Sequence, residues 1–145
     1  MRLTNTLLLA AGLACAGSAL ASDAAVEYRQ NQMKVLGGHM GSIVALVKGE
    51  VSHPDQLALH AQGLAATAAL TEAVFKEKAM NGKSAAKPAI WDDWQRFAAS
   101  SASFTQAADK LAAAVAANDQ GGIRAALAEV GKACKGCHDD FKNKR

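Results

Sequence analysis

Cys134, Cys137 and His138 make the pattern Cys-x-x-Cys-His inside the C-terminal stretch KACKGCHDDFKNKR. Residues three and four apart share a helix face, so on a helix these three side chains project to one side. Four chemistries compete for such a group. A disulfide is disfavoured, because two cysteines three apart in a regular helix are poorly placed for bridge geometry and so short a loop restrains the unfolded chain little. A thioredoxin-like redox pair belongs at a helix start after a strand, and no strand pattern precedes this one. Zinc would need a fourth ligand from His39, His53 or His60, none of which stands at a finger-like spacing. The remaining chemistry is covalent attachment of one haem c, for which this pattern is the attachment signal. Cys134 and Cys137 would each form a thioether with a vinyl group, and His138 would offer its imidazole to the iron as proximal ligand.

The elements that must position this group read as four helices. Val26, Met33, Met40 and Val47 recur every seventh residue, with Leu36 and Ile43 interleaved, which predicts a first helix from Asp23 to Lys48. Gly37, Gly38 and Gly41 interrupt it, either to admit a close neighbour or as a loose turn. GEVSHPD breaks the pattern, and Ser52 is expected to cap a second helix reaching Met80, with Leu57, Leu64, Ala68 and Val74 or Phe75 on its buried side. A third starts near Pro88 and carries Ile90, Trp94, Phe97, Ser101, Phe104, Ala108, Leu111 and Val115. After NDQGG the fourth carries Ile123, Leu127, Val130, Cys134, Cys137 and Phe141. The cysteines thus occupy positions where leucines would normally pack. Four amphipathic helices with short links predict an all-α fold, an antiparallel up-down-up-down four-helix bundle with covalent haem c on the C-terminal helix.

Composition agrees. The apolar content is mostly alanine and there are only two prolines, a mixture that favours helix. The first 21 residues, with Arg2, an apolar run from Leu7 and Ala19-Leu20-Ala21, read as a secretory signal cleaved after Ala21, leaving 22–145 as a single domain. The apolar run is too short for a membrane span, and no other segment is long and apolar enough. Cleavage removes Arg2 and Cys15, leaving 15 basic against 13 acidic side chains and two cysteines. A net charge near +2 is no nucleic-acid footprint. Export fits haem attachment, which follows translocation, and places the protein in the periplasm.

A haem motif on the last helix of a four-helix bundle resembles the class II cytochromes c, the family of cytochrome c′ and cytochrome c-556. The likeness spans the mature chain. YRQNQM and GGHMGSIVALVKGE resemble the family's first helix, KPAIWDDW the start of its third, and VGKACKGCHDDFK its haem helix. Members often place an arginine four residues after the haem histidine; here stands Lys142, which keeps the charge and loses the planar fork.

The resemblance implies two functions, neither of them enzymatic. Cytochromes c-556 have a methionine as sixth iron ligand and act as one-electron carriers. Cytochromes c′ are five-coordinate and high-spin and bind nitric oxide or carbon monoxide. In such a bundle the first and last helices are antiparallel neighbours. His138 lies roughly 7 Å from the end of the fourth helix and Met33 roughly 14 Å from the start of the first, whereas Met40 lies roughly 25 Å in. Met80 falls at the far end of the second helix. Met33 is therefore the distal candidate, and it also falls on the family's distal position. Arg29, in the YR pair, is the candidate partner of a haem propionate. Trp91 and Trp94 are expected in the core or at the pocket rim, and His39, His53 and His60 at the surface or at helix ends. Lys132, Lys135, Lys142, Lys144 and Arg145 would make a basic rim suited to an acidic redox partner protein. The first and second helices are the expected face of a homodimer.

Overall fold

Three of the four apolar stripes become long helices, and the second is cut short. The computed structural model describes residues 14–144, with side chains over 23–144. Residues 1–13, most of the expected signal, lie outside the described residues. Helix α1 (Ala14–Val47) is described from upstream of the expected start at Asp23. Val26, Leu36 and Ile43 are buried along it, with Met33, Met40 and Val47 half-buried on the same stripe. The helix runs unbroken through Gly37, Gly38 and Gly41, and a Cβ on any of the three would meet nothing within 4 Å. They neither break the helix nor admit a close neighbour among the described residues. The end of α1 is set by Gly49 at φ +70, whose N–H donates to the Leu46 carbonyl at 3.1 Å while the Glu50 N–H reaches Ala45 at 2.9 Å. This is the left-handed glycine stop that a Cβ would strain.

The second helix departs from the reading. Ser52 caps nothing; a 3-10 turn (Pro54–Gln56) leads into α2 (Leu57–Ala68), followed by the short α3 (Thr71–Val74). The chain then leaves the helix rather than continuing to Met80. Side chains take over backbone groups that a longer helix would have paired. Arg29 Nη2 donates to the Ala79 carbonyl at 2.7 Å, and Asn81 Oδ1 accepts the Lys83 and Ser84 N–H groups at 2.9 and 3.1 Å.

The third stripe is split. Helix α4 (Ala89–Asp92) ends at Asp93, where φ −131 and ψ 65 break the geometry. The Asp93 carboxylate then accepts the Arg96 N–H and caps α5 (Trp94–Ala116). Phe97, Ser101, Phe104, Ala108, Leu111 and Val115 are buried as expected. A tight turn through Asn118, at φ 53, and the Asp119 cap on the Gly122 N–H start α6 (Gln120–Phe141).

The result is the four-helix bundle, with α1, α2, α5 and α6 as its limbs. Close backbone approaches join α1 to α2, α2 to α5, and α5 to α6, while α1 and α6 come no nearer than a marginal approach. The first and last helices nevertheless share buried side chains, Leu36 and Ile43 of α1 and Val130 of α6 belonging to one cluster. Among the described residues the only extended pairing is an isolated bridge between Ala86 and Lys142. No helix among them is long and apolar enough to cross a membrane.

Candidate haem site

Two apolar clusters meet where α6 carries its cysteines. One is mainly aliphatic, with Ile43, Leu64, Leu111, Ile123 and Val130 among its buried members beside Phe104; Cys134 packs against it. The other is smaller and aromatic, built on Phe75, Ile90, Phe97 and Phe141; Cys137 packs against it, as do Trp91 and Trp94. Phe97 holds the aromatic group together, with ring centroids 4.9 Å from Phe75, 5.5 Å from Trp94 and 5.4 Å from Phe141. The Trp91 indole N–H donates to the Phe75 carbonyl at 2.8 Å, which anchors this half-buried ring against the cluster.

Both thiols are free and half-buried. Burial first, then Cys134 and Asp140, push the Cys137 thiol up to about 11; burial also raises Cys134. A reactive redox pair or a zinc site needs the opposite, a thiolate favoured at neutral pH. Among the described residues no group of three or more His, Cys, Asp or Glu side chains comes together to hold a metal ion. The thiols are thus not joined to each other, and their raised values disfavour a reactive thiolate pair.

His138 is exposed on α6, one helical turn beyond Cys134. Partial desolvation, with Lys142 nearby, holds its imidazole below the ordinary value, while Asp139 opposes this. The neutral form is the one that can give a lone pair to iron.

On the facing helix, Met33 is half-buried and is the only described residue that packs against both clusters. Met40 packs against the aliphatic cluster alone, and Met80 is exposed. Of the three, Met33 alone shares both the cluster joined by Cys134 and the one joined by Cys137.

Arg29 is 3% exposed, an unusual place for a guanidinium. Besides its bond to Ala79 it donates to Ser84 Oγ at 3.3 Å and lies over the rings of Phe75 and Trp91, 4.9 and 5.4 Å from their centroids. Its Nη1 is buried with no hydrogen-bond partner. Burial of an unpaired donor is costly, and burial pushes the guanidinium pKa down. An anion beside Nη1 would relieve both. A haem fits these residues in two ways: anchoring thiols on the core side and an orphaned cationic donor for a carboxylate.

The segment between α3 and α4 and the end of α6 are tied together in a way no local pattern announces. Lys87 N–H donates to the Phe141 carbonyl at 2.9 Å and Asn143 N–H to Ala85 at 2.8 Å. Lys87 Nζ caps the Asp139 and Asp140 carbonyls at 2.8 and 3.2 Å, as a cation at a helix C-terminus should. The expected basic rim is interleaved with acid. Lys135 pairs with Asp139, and Arg96 with Asp140 at 2.6 Å. Away from this site, His39 and His60, which the sequence leaves without partners, are brought together by α1 and α2.

A family model described as cytochrome C′ matches residues 24–142. A cytochrome c′ of Rubrivivax gelatinosus is 38% identical over 122 residues, covering 83% of this chain and 95% of the relative. A cytochrome c-556 of Agrobacterium tumefaciens (strain II Chrys) is 36% identical over 124 residues, covering 83% and 98%. Among solved structures, a nitric oxide complex of a point mutant of cytochrome c prime from Alcaligenes xylosoxidans superposes with a TM-score of 0.78 at 33% identity, covering 86% of this chain and 97% of that one.

Proposed function

The chain belongs to the cytochrome c′ family, and from that premise we propose that it is an exported, periplasmic monohaem cytochrome that carries single electrons. Haem c, when bound, supplies an iron that cycles between ferric and ferrous. The chain's own residues do the rest. Cys134 and Cys137 anchor the group covalently from the core side of α6, so it is not lost outside the cytoplasm. His138 gives the proximal imidazole. Met33 gives a thioether from α1, a soft ligand that raises the potential relative to a site with no sulfur. Arg29 Nη1 pairs with a propionate, and the aromatic cluster excludes water from one edge.

The observation that carries this reading is the position of Met33 between the two clusters that the cysteines join. The optical spectrum tests it. The ferric protein should be low-spin with a sulfur-to-iron charge-transfer band in the near infrared, and Met33→Leu should abolish the band and turn the iron high-spin. A high-spin spectrum of the unmutated protein would overturn it in favour of a second reading, in which Met33 blocks the distal face without ligating and a five-coordinate iron binds nitric oxide or carbon monoxide. That reading draws support from the nitric oxide complex of the Alcaligenes protein. Carbon monoxide added to the ferrous protein separates the two, since only an open or readily vacated position responds.

Lys142 and Lys144 are exposed beside the site and suit an acidic redox partner protein, although Asp139 and Asp140 dilute that surface. Exposed Tyr28 and Val35 on α1, Leu59 on α2 and Leu70 just beyond it support the first and second helices as a homodimer face.

A further inference from the structure

The α1–α2 seam carries a second cluster of ligand-type side chains. His39 of α1 and His60 of α2 point at each other with Nδ1 atoms 3.2 Å apart, ring centroids 5.4 Å apart and ring planes at 64°. Both rings are half-buried. Gly63 lies nearly one turn beyond His60, and a Cβ there would collide with the His39 ring. A missing side chain on α2 is thus what lets that ring lie against the helix. In the neutral pair one Nδ1 carries the shared proton and the other accepts it.

We propose that His39 and His60 form a binding site for a borderline divalent transition ion, such as zinc, nickel or copper(II), which would tie α1 to α2. An ion about 2.0–2.1 Å from each nitrogen, with the nitrogens 3.2 Å apart, is seen at an angle of about 100°. That lies between the square and tetrahedral angles these ions adopt. Binding requires the donor ring to move its proton from Nδ1 to Nε2, a change of tautomer with no net proton lost. Burial and the neighbouring His60 hold His39 below the ordinary imidazole value, so it is neutral at pH 7, the form a metal needs. Among the described residues no third His, Cys, Asp or Glu completes a larger metal-binding group. The remaining positions fall to water, which makes this an open site rather than a closed structural one.

Zinc is the probe, since it is optically silent and leaves a haem spectrum readable. Calorimetric titration of the haem-loaded protein should show one ion bound per chain at pH 7.5, with a rise in the thermal midpoint. His39→Gln and His60→Gln should each weaken binding at least tenfold, and His53→Gln, in the exposed link before α2, should leave it unchanged. Gly63→Ala removes no ligand but displaces the His39 ring, so it too should weaken binding. Should a variant fail to fold, the unmutated protein still answers: zinc should protect His39 and His60, but not His53, from diethylpyrocarbonate. Absence of zinc binding at millimolar concentration, binding unaltered in both glutamine variants, or modification of both His39 and His60 that zinc does not slow would each overturn the proposal.

Discussion

The two ends of the core are built on different terms. In the aliphatic body, small side chains let helices pack along their length. Ala61, Ala68 and Ala108 are fully buried beside Ile43, Leu64 and Leu111, and the helices there are long and regular. At the aromatic end the helices fail. Helix α2 gives way to short α3, α4 is cut from α5, and the chain between them is held by Arg29, Asn81 and Lys87 instead of by helical bonds. Regularity marks where packing alone decides the structure. Irregularity marks where the chain is arranged around something else, and the two cysteines and Met33 stand on that border.

Four perturbations test this division, taken from the largest expected effect to the smallest. Replacing both anchors, Cys134→Ser with Cys137→Ser, should abolish covalently retained haem, read by haem staining after denaturing electrophoresis, because only the thioether tether survives unfolding. Retained stain would move the attachment off α6. In the aliphatic body, Leu111→Ala should destabilise the fold by about 2–5 kcal/mol through lost burial and a residual cavity, while the haem spectrum stays as it was. A spectral change there would merge the two regions into one.

Smaller effects follow from the surface of α1 and from its contact with α2. Gly38→Ala should stabilise by about 1 kcal/mol in denaturant unfolding, since Gly38 is exposed in a continuous helix with nothing within 4 Å of a new Cβ. A loss of stability would mean that another surface, such as a second copy, approaches α1 at this point. The pH response of His39 is the smallest. Its folded pKa is depressed by burial and by His60, so the unfolded chain binds the proton more tightly. Its contribution is fully present above the unfolded value of about 6.5 and is lost as the pH falls through the folded value. The urea midpoint should therefore drop on acidification below that point, with a shallower drop in His39→Gln. Equal slopes would place the acid sensitivity elsewhere.

Much of this was legible from residue order. The stripes of α1, α5 and α6 appear where periodicity puts them, because each is a local pattern that any amphipathic helix must bury. Met33 is a candidate from its depth along α1 and Arg29 from the resemblance alone; in the structure Met33 packs against both clusters and Arg29 is buried against Phe75 and Trp91. The second helix ends earlier than its pattern predicts, since alanines and a Val74-Phe75 pair continue the helical spacing past Ala68. The helical bonds already stop at Val74, and beyond that end an arginine fifty positions upstream in the chain takes the Ala79 carbonyl. The His39–His60 contact, across 21 positions and two helices, was equally invisible to spacing.

By itself the order of residues determined the cofactor chemistry and the helical architecture. Cys134-x-x-Cys137-His138 specifies bonds that two thiols and an imidazole can make, and heptad spacing specifies faces, and both are local properties of the chain. Only the tertiary structure decided which methionine stands between the two clusters, which cation is buried without a partner, and which two histidines meet. Those outcomes depend on how separate helices approach one another, and the approach distances are set by the summed packing of side chains far apart in sequence.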